Sequence, residues 1–182
     1  MKDLEMVDSE ATTQTTGKKP SDYQIVSDAI ESLHHACMEQ SENGFLRAAM
    51  YHFHRVLLAD YVIAGHRAND GSPSIQTEIV LQRGIMIPNM VYELDGTPCE
   101  IVMSMQACVY QHHVADLFPG DRFFRDKAIE GYVGVPIVDS FGNLNGLVIA
   151  LTQNPIPDSK IAMTLAKLFA VAVSPLFPHR KS

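Results

Sequence analysis

The sequence predicts an α+β domain whose mostly antiparallel sheet carries the terminal helices on one face. Two observations predict it. Apolar residues recur at helical spacing near both ends of the chain, and the middle consists of short β-branched runs separated by turn residues, so hairpins dominate. The clearest hairpin is GYVGVPIVDSFGNLNGLVIALTQ, residues 131–153. Asp139, Ser140, Phe141, Gly142 and Asn143 form its turn, where Gly142 and Asn143 tolerate positive φ. With Val138 opposite Leu144, Pro136 faces Gly146, Gly134 faces Val148 and Tyr132 faces Ala150. Alternation then gathers these residues on one sheet face, mostly small with an aromatic at the end. Val133, Val135, Ile137, Leu147 and Ile149 occupy the other, bulky face, which suits packing under helices. The small face leaves room for a closely approaching helix or for a ligand.

The elements follow in order. Residues 1–20 are polar, Thr-rich and aperiodic, and read as a disordered tail. Ser21 or Asp22 caps a first helix with apolar residues at Tyr23, Val26, Ile30, Leu33 and Cys37. Asn43-Gly44 breaks it, and a second helix spans 45–58 with the stripe Leu46, Ala49, Met50, Phe53, Val56 and Leu57. A strand over 60–66, a turn over 69–73 and a strand over 75–81 make a hairpin. Residues 84–89 read as irregular and 91–94 as a short apolar piece. Thr97 as N-cap and Pro98 at the first helical position start a helix over 98–104. A brief strand at 107–111 precedes a mixed segment, 112–127, with short helical turns about Phe118-Pro119-Gly120-Asp121. After the hairpin, Asp158 or Ser159 caps a last helix with the stripe Ile161, Leu165, Leu168, Phe169 and Ala172, stopped by Pro175. One domain over 21–178, with a second short tail at 179–182, accounts for the chain.

Composition narrows the function. The net charge is −7, from 14 basic and 21 acidic residues, and basic side chains cluster only as Lys18-Lys19 and Arg180-Lys181, which excludes a phosphate-backbone reader of nucleic acid. No apolar run reads as long enough to cross a bilayer, and the N-terminus lacks a signal-peptide core, so a cytoplasmic location without membrane contact is expected. The cysteines, Cys37, Cys99 and Cys108, form no C-x-x-C pair and are odd in number, against a disulfide framework.

The segments YELDGTPCE, CVYQHHVADLFPGD and EGYVGVPIVDSFGNLNGLVIAL, within 61–151, resemble the GAF domain, most closely the GAF domains of bacterial sensor kinases and related signalling proteins. The resemblance implies a central antiparallel sheet of five to six strands. Terminal helices pack on one face, and a short-helix and loop segment covers small ligands on the other. Members bind cyclic nucleotides, bilins, haem or other small molecules, commonly as dimers through the terminal helices. Residue by residue, little of a particular activity carries over. Where bilin-binding members have their Cys, this chain has Phe118-Pro119, and Cys108 is followed by Val109. The Asn-Lys-x-x-x-Phe-x-x-x-Asp-Glu pattern of the cyclic-nucleotide binders is absent. Cys99 and Cys108 do not match the clustered cysteines of the free methionine sulfoxide reductases, which are also GAF proteins.

The middle segment and the small sheet face supply a candidate ligand pocket: Cys108, Tyr110, His112, Phe118, Phe124, Arg125, Tyr132 and Gly134. Ordinary packing of a loop-rich segment is the competing reading. His52 and His54 point about 200° apart on a helix, and His34-His35 and His112-His113 are adjacent pairs, so none makes a shared metal site. A redox pair of Cys99 and Cys108 would need a lowered thiol pKa, and Glu100 beside Cys99 acts the other way. The function expected is a stand-alone sensory or regulatory domain without catalysis. It binds an unidentified small molecule, dimerises through its terminal helices and acts on a signalling partner. A thiol-dependent reductase and a purely structural dimerisation module are the alternatives. No cofactor is specified by the sequence.

Overall fold

A computed structural model describes residues 20–39 and 41–177 of the chain; the tail expected over 179–182 and nearly all of that over 1–20 lie outside them. In chain order the elements are α1 (Asp22–Ala36), α2 (Glu42–Leu57), β1 (Tyr61–Arg67), β2 (Ser74–Gln82), β3 (Ile85–Ile87), β4 (Val91–Glu93), α3 (Pro98–Val102), β5 (Cys108–Tyr110), α4 (Val114–Leu117), α5 (Arg122–Asp126), β6 (Gly131–Val138), β7 (Leu144–Thr152) and α6 (Ser159–Val173), closed by a 3₁₀ turn, Ser174–Leu176. The sheet order is β3-β2-β1-β7-β6-β5, every pairing is antiparallel, and β4 continues the β3 edge by pairing with the other half of β2. This is the α+β architecture the sequence predicts.

Two cores lie on opposite sides of the sheet. On the back, Met50 and Phe53 of α2 and Leu165 and Phe169 of α6 pack on Val62, Ala64, Val133, Val135 and Val148, with the Phe53 and Phe169 ring centroids 5.0 Å apart. Helix α1 packs on α2 and α6. On the front, Tyr61, Ile63, Ile75, Tyr132, Ile149 and Leu151 meet Leu94, Cys99, Val102, Val114 and Phe124 from the segment between β4 and β6.

The caps are local. Ser21, Asp121 and Asp158 each accept backbone N–H bonds from the first turn of the helix they precede. Thr97 occupies its cap position without a side-chain cap bond; its hydroxyl donates to the Leu94 carbonyl instead (2.7 Å). At the bottom of the sheet the Asp60 carboxylate accepts from the Gln153 amide (2.7 Å) and from Arg83 Nε (3.2 Å), and Arg83 also reaches Gln153 Oε1 (2.6 Å).

The structure corrects several sequence expectations. Asn43-Gly44 does not break a helix. It lies in the first turn of α2, where the Ser41 side chain accepts from the Gly44 N–H (3.0 Å), and a Cβ at Gly44 would sit 2.9 Å from that same Oγ. Within 84–89, Ile85–Ile87 is a strand, because Arg83 and Gly84 both take positive φ and turn the chain back along β2. The α1 stripe is rotated. Ala29, Leu33 and Ala36 are buried, while Tyr23 and Ile30 are exposed, since small alanines let α1 lie closer to α2 and α6. By length and composition Ser159–Leu176 is apolar enough to cross a membrane; here Ala162, Leu165, Ala166, Phe169, Ala170 and Val173 face the core.

The largest correction concerns the central hairpin. Val138 does face Leu144, but Ile137 then pairs with Gly146, so Asn145 is an extra residue in β7. Beyond this bulge every β7 residue moves to the opposite face from the one expected. Leu147, Ile149 and Leu151 join Tyr132 on the front, and Val148 and Ala150 join Val133 and Val135 on the back. The front face is therefore not a stretch of small residues.

Candidate functional site

The front core holds the side chains expected to form a pocket, but they are mostly packed on one another. Tyr132 and Gly134 both point forward on β6, and the Tyr132 ring folds along its own strand over Gly134. A Cβ at Gly134 would meet ring carbons Cε1 and Cζ at 2.7 Å. The room that glycine leaves is thus filled by a neighbouring phenol, which is wholly buried. Tyr110, opposite Tyr132 on β5, stacks edge-on with Phe118 at 5.3 Å and tilts against Tyr132 at 6.2 Å. Phe124 closes the other side, also 6.2 Å from Tyr132. Cys108 pairs with Gly134 across the β5–β6 ladder and is half-buried. His112 and Arg125 are exposed and stand outside this cluster; the His112 ring packs edge-on against His113.

The open space lies beside the aromatic cluster. A cavity of about 370 Å³ is floored by Ile63, Ile149 and Leu151 of β1 and β7 and walled by Met90, Tyr92, Phe123 and Phe124. Thr97 and Cys99 stand at its inner side, and Glu93, Asp95, Gly120, Asp121 and Arg122 at its mouth. Of the residues singled out in the sequence for the pocket, only Phe124 lines it. The lining is nevertheless concentrated in stretches that carry the family resemblance, YELDGTPCE and the end of LFPGD. Reading those motifs for side-chain chemistry would have found Tyr92, Glu93, Thr97, Cys99 and Asp121. A smaller void of about 130 Å³ on the back, between Ile25, Leu57, Val133 and Ile161, has an almost wholly apolar lining and offers little to orient a ligand.

A buried polar chain joins cavity and cluster. The Tyr92 hydroxyl donates to Cys99 Sγ at 3.4 Å, and the same sulfur lies 3.5 Å from the Tyr132 hydroxyl. Burial raises the pKa of all three, that of both phenols well above the usual range, and the nearby Asp121 carboxylate adds to the rise at Tyr92 and Cys99. Burial likewise pushes the Cys108 thiol up to about 12. Asp121 has its own carboxyl raised by burial, against the lowering effect of the Phe124 and Phe123 amides it caps. The two phenols and the two thiols are neutral hydrogen-bonding partners at physiological pH. A thiolate nucleophile is not prepared at Cys99 or Cys108. Among the described residues no three His, Cys, Asp or Glu side chains gather closely enough to hold a metal ion.

No protein-family model matches the chain, and no curated protein does. Solved structures do match in shape. The free methionine-R-sulfoxide reductase from Neisseria meningitidis, solved in complex with its substrate, superposes with a TM-score of 0.69 at 10% identity, covering 88% of this chain and 92% of that one. The GAF domain of an Acinetobacter phosphoenolpyruvate-protein phosphotransferase gives 0.65 at 11% identity, covering 84% and 92%. A GAF sensor protein from Burkholderia vietnamiensis gives 0.66 at 14% identity, covering 85% and 94%. At such identities the likeness speaks for the fold. Together with the sheet order, the helices behind the sheet and the roofed cavity in front, it establishes that this chain is folded as a GAF domain.

Proposed function

We propose that the chain is a non-catalytic regulatory domain that senses a small molecule in the front cavity and transmits its occupancy to a partner. The observation that carries this reading is the cavity itself. An apolar floor, aromatic walls and a few convergent polar groups are what a small-ligand site requires. Its floor residues Ile63 and Ile149 sit on β1 and β7, whose reverse faces, through Val62 and Val148, carry the helical layer. A ligand that favours one packing of floor and roof thereby biases the helices behind.

The output surface in this reading is α1. Tyr23 and Ile30 are 80% and 53% exposed on one side of it, and Val171 of α6 is 74% exposed. We assign the exposed side of α1 to a homodimer contact, through which a signalling partner would feel the change. The reductase alternative draws no support from the thiols, which burial holds in the protonated form. A thermal-shift screen with nucleotides, bilins, haem and common metabolites tests the sensor reading. Stabilisation that is lost in Ile149→Trp, which fills the floor, is expected; no stabilisation by any compound sinks it.

A further inference from the structure

Building on the cavity as a ligand site, we infer that its ligand is an organic cation: a compact apolar or aromatic body bearing an ammonium or amidinium group. The mouth carries three carboxylates, Glu93, Asp95 and Asp121, against one guanidinium, Arg122. Among the described residues none of the three forms an ion pair with a cationic side chain. Asp121 is the most telling. One of its oxygens, Oδ1, accepts the Phe123 and Phe124 amides at 3.0 and 3.4 Å, which pins the carboxylate at the cavity wall. The other makes no hydrogen bond among the described residues. The carboxylate acts on Tyr92 and Cys99, so its field reaches the inner side of the cavity. A half-buried anion beside apolar walls is poorly solvated and gains most from a cation brought in with the ligand. The walls add to this. Tyr92, Phe123 and Phe124 line the space, and aromatic faces attract cations. An anionic ligand would have to desolvate against three like charges, with a single exposed arginine to offset them.

The test uses matched probes on the whole chain: phenethylamine, its neutral isostere 2-phenylethanol and the anion 3-phenylpropionate. Binding is followed by calorimetry and by NMR shifts of the Tyr92 and Phe123 rings. The amine is expected to bind about tenfold more tightly than the alcohol, with the acid weakest. Asp121→Asn keeps a capping side chain and should erase most of the amine's advantage without changing alcohol binding. Glu93→Gln combined with Asp95→Asn, both exposed and neither a capping side chain, repeats the measurement should Asp121→Asn fail to fold. Equal affinities, or preference for the acid, overturn the cation assignment and leave the ligand-cavity reading standing. No binding of any probe at millimolar concentration, with the ring signals unmoved, overturns both.

Discussion

Gly134→Ala is the sharpest probe of how the front core is filled. The added methyl group would point at the Tyr132 ring, 2.7 Å from Cε1 and Cζ, well inside van der Waals contact. The ring has little freedom to retreat. It is fully buried, flanked by Tyr110 and Phe124 with centroids 6.2 Å away on either side, and its hydroxyl lies 3.5 Å from the Cys99 sulfur. Overpacking of this kind costs about 1–3 kcal/mol. For a chain of this length each kcal/mol lowers Tm by about 2–4 °C, so a fall of about 2–12 °C is expected. Circular dichroism melts read it directly. The companion measurement is a double-mutant cycle with Tyr132→Leu, which removes the obstructing ring. If the methyl and the ring compete for one space, the two changes are non-additive, with a coupling of at least about 0.5 kcal/mol in favour of the double variant. A Gly134→Ala protein with unaltered Tm, or strictly additive effects, would show that Tyr132 does not cover Gly134 and would reopen that space as a pocket.

Other perturbations have equally definite outcomes. Asp60→Ala removes the acceptor shared by the Gln153 amide and Arg83 and should cost about 1–3 kcal/mol in urea unfolding, most of it from the orphaned amide because Arg83 is exposed; a midpoint equal to wild type would dismiss the network as ornamental. Alkylation by iodoacetamide near neutral pH should modify exposed Cys37 first and spare Cys99 and Cys108, with Cys108 accelerating only as pH climbs toward about 12, and rapid loss of all three thiols would contradict the burial described. Burial raises the Asp121 carboxyl, so the folded state holds that proton more tightly than the unfolded chain does. This unfavourable contribution is present above the raised folded pKa and is relieved as pH falls through it. Asp121→Asn should therefore gain stability relative to wild type at neutral pH and lose that gain in acid; a difference that does not vary with pH would refute the assignment. Ile30→Glu on the exposed stripe of α1 should convert a dimer to a folded monomer in sedimentation equilibrium, and a wild type already monomeric at high concentration would remove α1 as the output surface.

The candidate site was less legible than the fold. Tyr110, Phe118, Phe124, Tyr132 and Gly134 do converge, as their placement in the middle segment and on the small face suggests, yet they converge into a solid cluster. Glycine in a strand reads as space, but the sequence does not say which neighbour takes it; here residue 132 itself does. The open volume belongs to Tyr92, Asp121 and their neighbours, which are 29 positions apart in the chain and meet only because β4 joins the sheet edge beside β2 while the segment at the start of α5 covers the front of the sheet. His112 and Arg125 follow the same segment but fall on its outer side, a choice made by short helices too brief to show a periodicity.

What the chain settles locally is the inventory of elements and their punctuation. Capping side chains at Ser21, Asp121 and Asp158, the turn at Gly142, and helical against alternating apolar spacing act over a few residues, so their energies are written in adjacent letters. What the tertiary structure decided is which way those elements face. The bulge at Asn145 and the close lie of α1 through Ala29 and Ala36 compare whole packed arrangements with one another. A one-residue slip in β7 changes no local preference, yet it exchanges Leu147 and Ile149 for Val148 and Ala150 at the face of the cavity. Only the combined fit of β1, β6, α6 and the roof segment selects between those two registers, because burial is scored by neighbours that the chain brings together from far apart.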